Sequence, residues 1–201
     1  MGPTLPREMK TGLLFGTFNP IHRSHLILAQ SLAEWKELEE LWFVVTPHNP
    51  HKEKGSLLND TERLHMVELA TARFPSQHAC DIEFSLPQPN YTVDSLEALM
   101  ATHPSRKFYL CMGADNLLSF PRWKDPNRIL SLVDVLVYPR PGAHIPVDFP
   151  FANHPKISIM EAPLMDRSAT EIRARLGMLD SVDQDLPPEV AAYIEARQHY
   201  R

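Results

Sequence analysis

The chain has 201 residues, a length that suits one large domain or, at most, two small ones. Hydrophobic residues make up 43% of the chain and charged residues 22%, which is ordinary for a globular protein and argues against wholesale disorder. Twenty Lys and Arg residues against 25 Asp and Glu residues give a net charge of −5 at pH 7. A general nucleic-acid binder would carry a basic excess, so we expect no nucleic-acid partner. A local basic pocket for a phosphorylated small molecule remains compatible with this charge.

The chain offers no sign of secretion or membrane insertion. Cys80 and Cys111 are the only cysteines, too few for a disulfide framework or a cysteine-based zinc site. Residues 1–10 are polar and contain two prolines, without the apolar core of a signal peptide. No apolar run approaches the roughly 18 residues that a membrane helix needs. We therefore expect a reduced, cytoplasmic protein with no membrane partner, and the sequence leaves its oligomeric state open.

Phosphate-binding loops rich in glycine are missing from the sequence. Proline occurs 19 times and glycine only 7 times. Neither G-x-G-x-x-G nor G-x-x-x-x-G-K-[ST] can be found. A phosphate site in this chain must therefore be built in another way.

Short apolar runs alternate with amphipathic stretches along the whole chain. In the first half, the patterns predict strands over 12–15, 41–45 and 79–84, and helices over 24–36, 62–73 and 94–103. Asn59 or Asp60 would cap the second of these helices. In the second half, the predicted strands cover 107–112, 133–138 and 157–160. The predicted helices cover 168–177, 188–199 and a stretch that ends at about residue 132, with Asp125 as its N-cap and Pro126 at its first position.

This order of elements predicts the fold class. Strands that alternate with helices indicate a parallel sheet covered on both faces. The loop 140–155 holds four prolines, yet a strand follows it, so we interpret it as an excursion and not as a linker. We predict one doubly wound, Rossmann-like α/β domain over residues 1–201. Ligands of such folds bind at the carboxyl ends of the strands, where the strand order reverses.

The first strand runs into residues 16–25, which read G-T-F-N-P-I-H-R-S-H. His22 and His25 are three positions apart at a loop-to-helix junction and should lie on one face. They could ligate a metal, act as a base and its helper, or donate hydrogen bonds to phosphate at a positive helix end. Two surface histidines without a function are the commoner outcome for an arbitrary H-x-x-H.

A second string, M-D-R-S-A-T-E-I-R, occupies residues 165–173. Ser168 and Glu171 match the S-x-x-E capping box, so helix structure alone could explain the string. A helix start lined by hydroxyl groups, with Arg173 one turn in, would also suit an anion.

Further candidate residues lie between these two strings. Lys52 follows the second strand and could reach an anion or simply be solvated. Tyr91 and Thr92 come before a predicted helix, and residues 113–116, G-A-D-N, follow a predicted strand. Trp123 lies between two prolines and could face a ligand or merely cover the core.

The two strings resemble signatures of the nucleotidyltransferase superfamily. Residues 16–25 resemble (G)-G-[ST]-F-[DN]-P-x-H-x-G-H, and residues 165–173 resemble I-S-[SA]-T-x-I-R. Together with the elements between them, the chain is similar to the bacterial nicotinate-nucleotide adenylyltransferase family from Gly12 to the C-terminal helix. Phe15 and Ser24 replace two glycines of the signature. We expect an extended backbone at Phe15 and a helix N-cap at Ser24.

The resemblance implies an activity. The adenylyl group of ATP would pass to nicotinate mononucleotide, giving nicotinate adenine dinucleotide and pyrophosphate in NAD biosynthesis. The acceptor phosphate is already an anion, so no strong base is needed, and Mg²⁺ is expected on the ATP phosphates. One alternative is another phosphate acceptor such as phosphopantetheine, although that family is usually shorter and lacks the 91–92 and 113–123 elements. The other alternative is a nucleotide sensor without turnover.

The resemblance also implies a role for each matching residue. The residues implied to be catalytic are His22, His25 and Arg173. Those implied to bind ATP are Gly16, Thr17, Phe18, His22, His25, Gly113, Asp115, Ser168, Thr170 and Arg173. Those implied to bind nicotinate mononucleotide are Lys52, Tyr91, Thr92 and Trp123. In this scheme the Thr92 backbone meets the pyridine carboxylate, Trp123 stacks on the pyridine ring, and no protein residue ligates a metal.

Overall fold

The computed structural model describes residues 8–47, 57–161 and 168–201. The strands are β1 (Met9–Gly16), β2 (Glu40–Val45), β3 (Gln77–Cys80), β4 (Arg106–Gly113), β5 (Asp134–Tyr138) and β6 (Ile157–Ile159). The helices are α1 (Arg23–Lys36), α2 (Asp60–Thr71), α3 (Thr92–Thr102), α4 (Ala114–Ser119), α5 (Pro126–Leu132), α6 (Ala169–Gly177) and α7 (Pro188–Arg197). None of these helices in the described ranges is long and apolar enough to cross a membrane.

The strands form one six-stranded sheet in the order β3-β2-β1-β4-β5-β6, and every pair is parallel. The order reverses between β1 and β4, which are hydrogen-bonded neighbours with Leu14 opposite Cys111. The carboxyl ends of β1 and β4 therefore border the crevice in which such folds bind ligands. The predicted Rossmann-like α/β fold is confirmed.

Helices pack on both faces of this sheet because the central strands are apolar on both sides. In β1, Leu14 points into a core that includes Leu32 of α1 and Met66 of α2. Its neighbour Leu13 points into the opposite core, which includes Leu96 of α3. These side chains are 0–2% exposed, and burying each stabilises the fold by about 1.5–3 kcal/mol. The continuous apolar runs in the sequence follow from this double burial.

The predicted helix caps are confirmed at α2 and α5. Asn59, the first of the two caps proposed for α2, accepts a hydrogen bond from the backbone N–H of Glu62. Asp125 does the same for Arg128 at the start of α5. Each bond satisfies a donor that the first helical turn leaves without a partner.

The prediction of a strand over 79–84 is wrong in its second half. β3 ends at Cys80, and the chain turns into a 3₁₀ helix over Ile82–Ser85. Glu83 is 3% exposed, and its Oε1 accepts a hydrogen bond of 2.6 Å from the hydroxyl of Ser95 in α3. Residues 82–85 therefore form a turn that places Glu83 against Ser95, and they do not pair as a strand. The apolar pattern of the sequence predicts neither the turn nor the hydrogen bond.

Candidate active site

The first strand ends in a loop that is packed around Phe18. Gly16 is the last residue of β1, and Phe18 has a φ of 43°, in the left-handed region that few side chains adopt. The Phe18 ring packs edge-on against Phe43 at 5.5 Å and against His25 at 5.3 Å, measured between ring centroids. A Cβ on Gly16 would lie 3.0 Å from the Phe18 ring, so glycine allows this close approach. The ring thus fixes the loop between β1 and α1.

The two departures from the superfamily signature have different outcomes. Phe15 pairs with Val44 inside the sheet, so the extended backbone expected there is confirmed. Ser24 is not an N-cap, because α1 begins at Arg23 and its N-cap is His22. The backbone N–H of His22 donates to Nδ1 of His25 at 3.2 Å. The ring of His25 thus takes the place that the third-position carboxylate has in an ordinary capping box.

His22 and His25 lie together at the start of α1, as the motif predicts. Their rings stack with centroids 3.8 Å apart. Since Nδ1 of His25 accepts a hydrogen bond, its ring proton is assigned to Nε2. His22 is 4% exposed, and its Nδ1 has no hydrogen-bond partner among the described residues. A buried polar atom without a partner is costly, which makes the pair a candidate for holding a ligand.

Both imidazoles are neutral at pH 7 in the protein without ligand. Burial lowers the pKa of His22 to about 4, although the carboxylate of Asp185 opposes this shift and Arg140 adds to it. Burial, together with His22 and Arg140, lowers the pKa of His25 well below its usual value. His22 is therefore a neutral hydrogen-bonding group before a ligand binds, and only nearby phosphate charge would favour its protonation.

The depressed pKa of His22 predicts how stability varies with pH. The ordinary pKa of histidine is 6.5 and that of folded His22 is about 4, so the unfolded chain binds more protons between these values. The free energy of unfolding should fall as the pH drops from 6.5 towards 4. His22→Gln should flatten this slope by up to about 1.4 kcal/mol per pH unit. Urea titrations at several pH values measure the slope, and equal slopes for both proteins would contradict the assignment.

The second motif opens helix α6. The Ser168 hydroxyl accepts from the N–H of Glu171 at 3.2 Å, and the Glu171 carboxylate accepts from the N–H of Ser168 at 3.1 Å, which confirms the capping box. Arg173 donates to the hydroxyl of Thr170 at 3.2 Å and to the carbonyl of Asn19 at 2.8 Å. The two motifs, about 145 residues apart in the sequence, therefore meet directly.

A cavity of about 170 Å³ lies where the motifs meet. It is bordered by the end of β1, the loop that follows, the start of α1, the end of β5 and the start of α6. Its lining residues are Leu14, Phe15, Gly16, Thr17, Phe18, Asn19, His25, Tyr138 and Ala169. The cavity thus adjoins both groups of residues that the resemblance assigns to the ATP phosphates.

Gly113 and Asp115 lie together at the carboxyl end of β4. Gly113 is the N-cap of α4, and Asp115 is in the first turn of that helix. A Cβ on Gly113 would lie 2.3 Å from Oδ1 of Asp115 and 2.7 Å from Cγ of Arg140. Arg140 Nε is 3.8 Å from the same Asp115 oxygen. Sequence reasoning missed Arg140. Its position just after β5, at the ligand-binding end of the sheet, could have identified it as a candidate site residue.

Two of the four residues assigned to the pyridine nucleotide, Tyr91 and Thr92, form the start of α3. Tyr91 is the N-cap of α3 and Thr92 is its first residue, where backbone N–H groups have no acceptor within the helix. Trp123 is half-buried, and its indole N–H donates to the Ser119 hydroxyl at 3.1 Å. Lys124, the next residue, lies 4.8 Å above the Tyr91 ring and brings this loop to α3. Lys52, the fourth residue assigned to this nucleotide, lies outside the described residues.

A buried arginine supports the site, and sequence reasoning missed it. Arg63 of α2 is 0% exposed and forms an ion pair with Asp60. Its guanidinium also donates to the carbonyls of Thr17, Thr46 and Leu58. It therefore ties the loop after β1 to both flanks of the segment between β2 and α2. No sequence signal distinguishes it from a solvated arginine on an amphipathic helix.

Comparison with known proteins first defines the class of protein. Residues 13–175 match the family model described as cytidylyltransferase-like, and the chain belongs to that family. The solved Plasmodium falciparum nicotinic acid mononucleotide adenylyltransferase in complex with NaAD superposes with a TM-score of 0.78. The match covers 96% of this chain and 98% of that one at 19% identity, which shows the shared fold.

Curated relatives then define the particular family. A Flavobacterium psychrophilum protein named as a probable nicotinate-nucleotide adenylyltransferase is 48% identical over 193 residues, or 96% of this chain and 100% of that protein. A Bacteroides thetaiotaomicron protein of the same name is 42% identical over 190 residues, covering 93% and 91% of the two chains. The chain belongs to the nicotinate-nucleotide adenylyltransferase family.

Proposed function

We propose that this protein transfers the adenylyl group of ATP to nicotinate mononucleotide, producing nicotinate adenine dinucleotide and pyrophosphate. The observation that carries the proposal is the contact between Arg173 and the carbonyl of Asn19, which joins the two signature motifs beside His25 in one cleft. A coincidental histidine pair and a purely structural capping box would have no reason to meet there.

The reaction needs positioning more than proton transfer. A 5′-phosphate oxygen of nicotinate mononucleotide attacks the α-phosphorus of ATP, forming a new P–O bond. The bond from that phosphorus to the bridging oxygen of the β-phosphate breaks, and pyrophosphate leaves with the electron pair. Because the attacking oxygen is already ionised, the protein aligns the two phosphates and stabilises the charge that grows on the bridging oxygen.

We assign the phosphate side of the reaction to the two motifs. His22 and His25 would donate ring hydrogen bonds to phosphate oxygens, and Arg173 would add a fixed positive charge. Ser168 and Thr170 supply hydroxyl groups at the positive end of α6. Gly16, Thr17 and Phe18 would line the junction between the nucleotides. Gly113 and Asp115, which lie together at the carboxyl end of β4, would hold the adenosine ribose.

We propose that Mg²⁺ enters the site as part of the substrate MgATP. No group of three or more His, Cys, Asp and Glu side chains in the described part of the chain is arranged to hold a metal ion. Phosphate oxygens are common ligands of this ion, which keeps several waters and often bridges nucleotide phosphates. The protein residues would then neutralise phosphate charge and orient the complex.

The start of α3 suits a carboxylate better than an amide. Backbone N–H groups at the start of a helix, here at Tyr91 and Thr92, can donate to a carboxylate, whereas an amide also presents an NH₂ group that cannot accept from them. A mispaired buried group costs about 1–3 kcal/mol, so we expect kcat/KM to favour the acid over nicotinamide mononucleotide by roughly ten- to hundredfold.

A pyrophosphate-release assay with ATP, Mg²⁺ and a panel of acceptors tests this proposal. Nicotinate mononucleotide should be the best acceptor, nicotinamide mononucleotide a poorer one, and phosphopantetheine inactive. Turnover with phosphopantetheine alone would favour the other acceptor class. ATP binding without turnover of any acceptor would favour a nucleotide sensor.

Trp123→Ala separates substrate binding from core packing. The pyridine ring does not change during transfer, so loss of the indole should weaken binding equally in the ground and transition states and raise the KM for nicotinate mononucleotide. The KM for ATP should be almost unchanged, because the indole is not assigned to ATP. Trp123 also packs edge-on against buried Phe120 at 5.4 Å, so circular dichroism must accompany the kinetics. An unfolded variant, or a folded one with an unchanged KM for the acceptor, would show that the indole only covers the core.

A further inference from the structure

Lys124 connects two parts of the proposed pyridine pocket. Its Nζ donates to both carboxylate oxygens of Asp94, at 2.9 and 2.8 Å. It also lies 4.8 Å from the centroid of the Tyr91 ring. Asp94 and Tyr91 belong to the start of α3, whereas Lys124 directly follows Trp123. This cation therefore contacts the helix start at two points and anchors the loop that presents the indole.

Asp94 creates an electrostatic conflict at this place. Its carboxylate lies in the first turn of α3, where the positive end of the helix dipole stabilises it. The same helix end is the proposed binding place for the carboxylate of nicotinate mononucleotide. Two carboxylates within one helical turn repel each other, and this repulsion would weaken binding of the acid while sparing the neutral amide.

We propose that Lys124 determines substrate specificity by neutralising Asp94, so that the positive end of α3 remains available to the substrate carboxylate. Lys124 is thus a positioning residue that acts through Asp94 and the helix start. The inference rests on the proposed function, because it takes the pyridine carboxylate to bind at the start of α3.

A purely mechanical role for Lys124 predicts different behaviour. If the residue only fastened the loop of Trp123, its loss would impair the acid and the amide equally. Removal of the Asp94 charge could not then repair the defect. If the charge matters, the loss should fall on the acid, and neutralising Asp94 in the same chain should restore the preference. A double-mutant cycle distinguishes these cases.

A neighbouring ion pair provides a matched control. Arg128 of α5 donates to Glu97 of α3 at 2.9 Å, and these side chains are 49% and 47% exposed. The Lys124 and Asp94 side chains are 48% and 42% exposed. Both pairs connect α3 to the segment that follows α4, but Glu97 lies beyond the first turn of α3. Arg128→Met therefore removes a comparable surface ion pair without exposing a charge at the helix start.

The experiment compares kcat/KM for nicotinate and nicotinamide mononucleotides in Lys124→Met, Asp94→Asn, the double variant and Arg128→Met. In Lys124→Met we expect the acid-to-amide ratio to fall about three- to tenfold, a modest effect because the pair is exposed. In the double variant the ratio should return to within about twofold of the original value. Neither Asp94→Asn nor Arg128→Met should lower the acid-to-amide ratio of kcat/KM. The deficit of Lys124→Met should also shrink at high salt, because salt screens exposed charges.

An unchanged ratio in Lys124→Met, an equal loss for both substrates, or a ratio that Asp94→Asn does not restore would overturn the inference. Calorimetric Kd values for the two mononucleotides give the same comparison without turnover. If the original protein binds both mononucleotides but transfers nothing to either, the proposed function fails, and the Kd ratios still decide the role of Lys124. Circular dichroism verifies that each variant is folded.

Discussion

His22→Ala should lower kcat by at least about 10²-fold, which is the scale of losing one preorganised donor to a charge that grows in the transition state. His22 is buried, stacks on His25, and leaves Nδ1 without a partner among the described residues, so its hydrogen-bonding capacity is held ready for a ligand. Because this donor would serve the transition state more than the bound substrates, the KM for ATP should change much less than kcat. Steady-state kinetics with both substrates varied measure the two effects.

Substitution of the exposed His144 by Ala is the control for His22→Ala. The His144→Ala control should keep the original kcat and the original KM for ATP, and circular dichroism should show that both variants are folded. A folded His22→Ala protein with the original kcat would remove His22 from the catalytic group. His25 and Arg173 would then have to bind the phosphates without His22.

Arg63→Met should destabilise the fold more than any of the substitutions proposed above. The guanidinium is fully buried and bonded to three carbonyls and to Asp60, so its loss leaves several polar groups unpaired. Each buried carbonyl left without a donor typically costs about 1–3 kcal/mol, and because three carbonyls lose their donor we expect the free energy of unfolding to fall by about 3–5 kcal/mol. Urea titration measures it.

Arg73→Met provides the comparison for Arg63→Met. Arg73 also forms an ion pair, with Glu189 of α7, but its side chain is 76% exposed. Exposed ion pairs contribute about 0–1 kcal/mol, so the free energy of unfolding of this variant should be close to that of the original protein. Similar losses in both variants would mean that Arg63 is not the central support of the loop after β1.

The sequence predicts the fold well because the apolar pattern is strong where the sheet is buried on both faces. Strand β4, for example, is largely a run of buried residues, and the caps Asn59 and Asp125 have short-range signals. The prediction for the second half of the 79–84 segment is wrong, because Glu83 is buried through a bond to Ser95, which lies 12 positions away. Long-range polar bonds of this kind produce no periodic pattern of apolar residues in the sequence.

The site could be predicted only where a motif carries it. His22, His25, Ser168 and Arg173 belong to strings that can be recognised, and the structure brings these strings together. The neutral state of His22 could not be read from the sequence, because it follows from burial. Asp185 modifies that pKa from a segment more than 160 positions away. Arg140 and Arg63 lack a motif, and only the packing of the folded chain shows what they contact.

The proposed adenylyl transfer is tested most directly with ATP labelled at the α-phosphate and nicotinate mononucleotide as acceptor. We predict that the label appears in nicotinate adenine dinucleotide and that one unlabelled pyrophosphate is released for each dinucleotide formed. Both products should vanish when the acceptor is left out. Label recovered only in AMP or ADP, with no labelled dinucleotide, would contradict the proposed transfer.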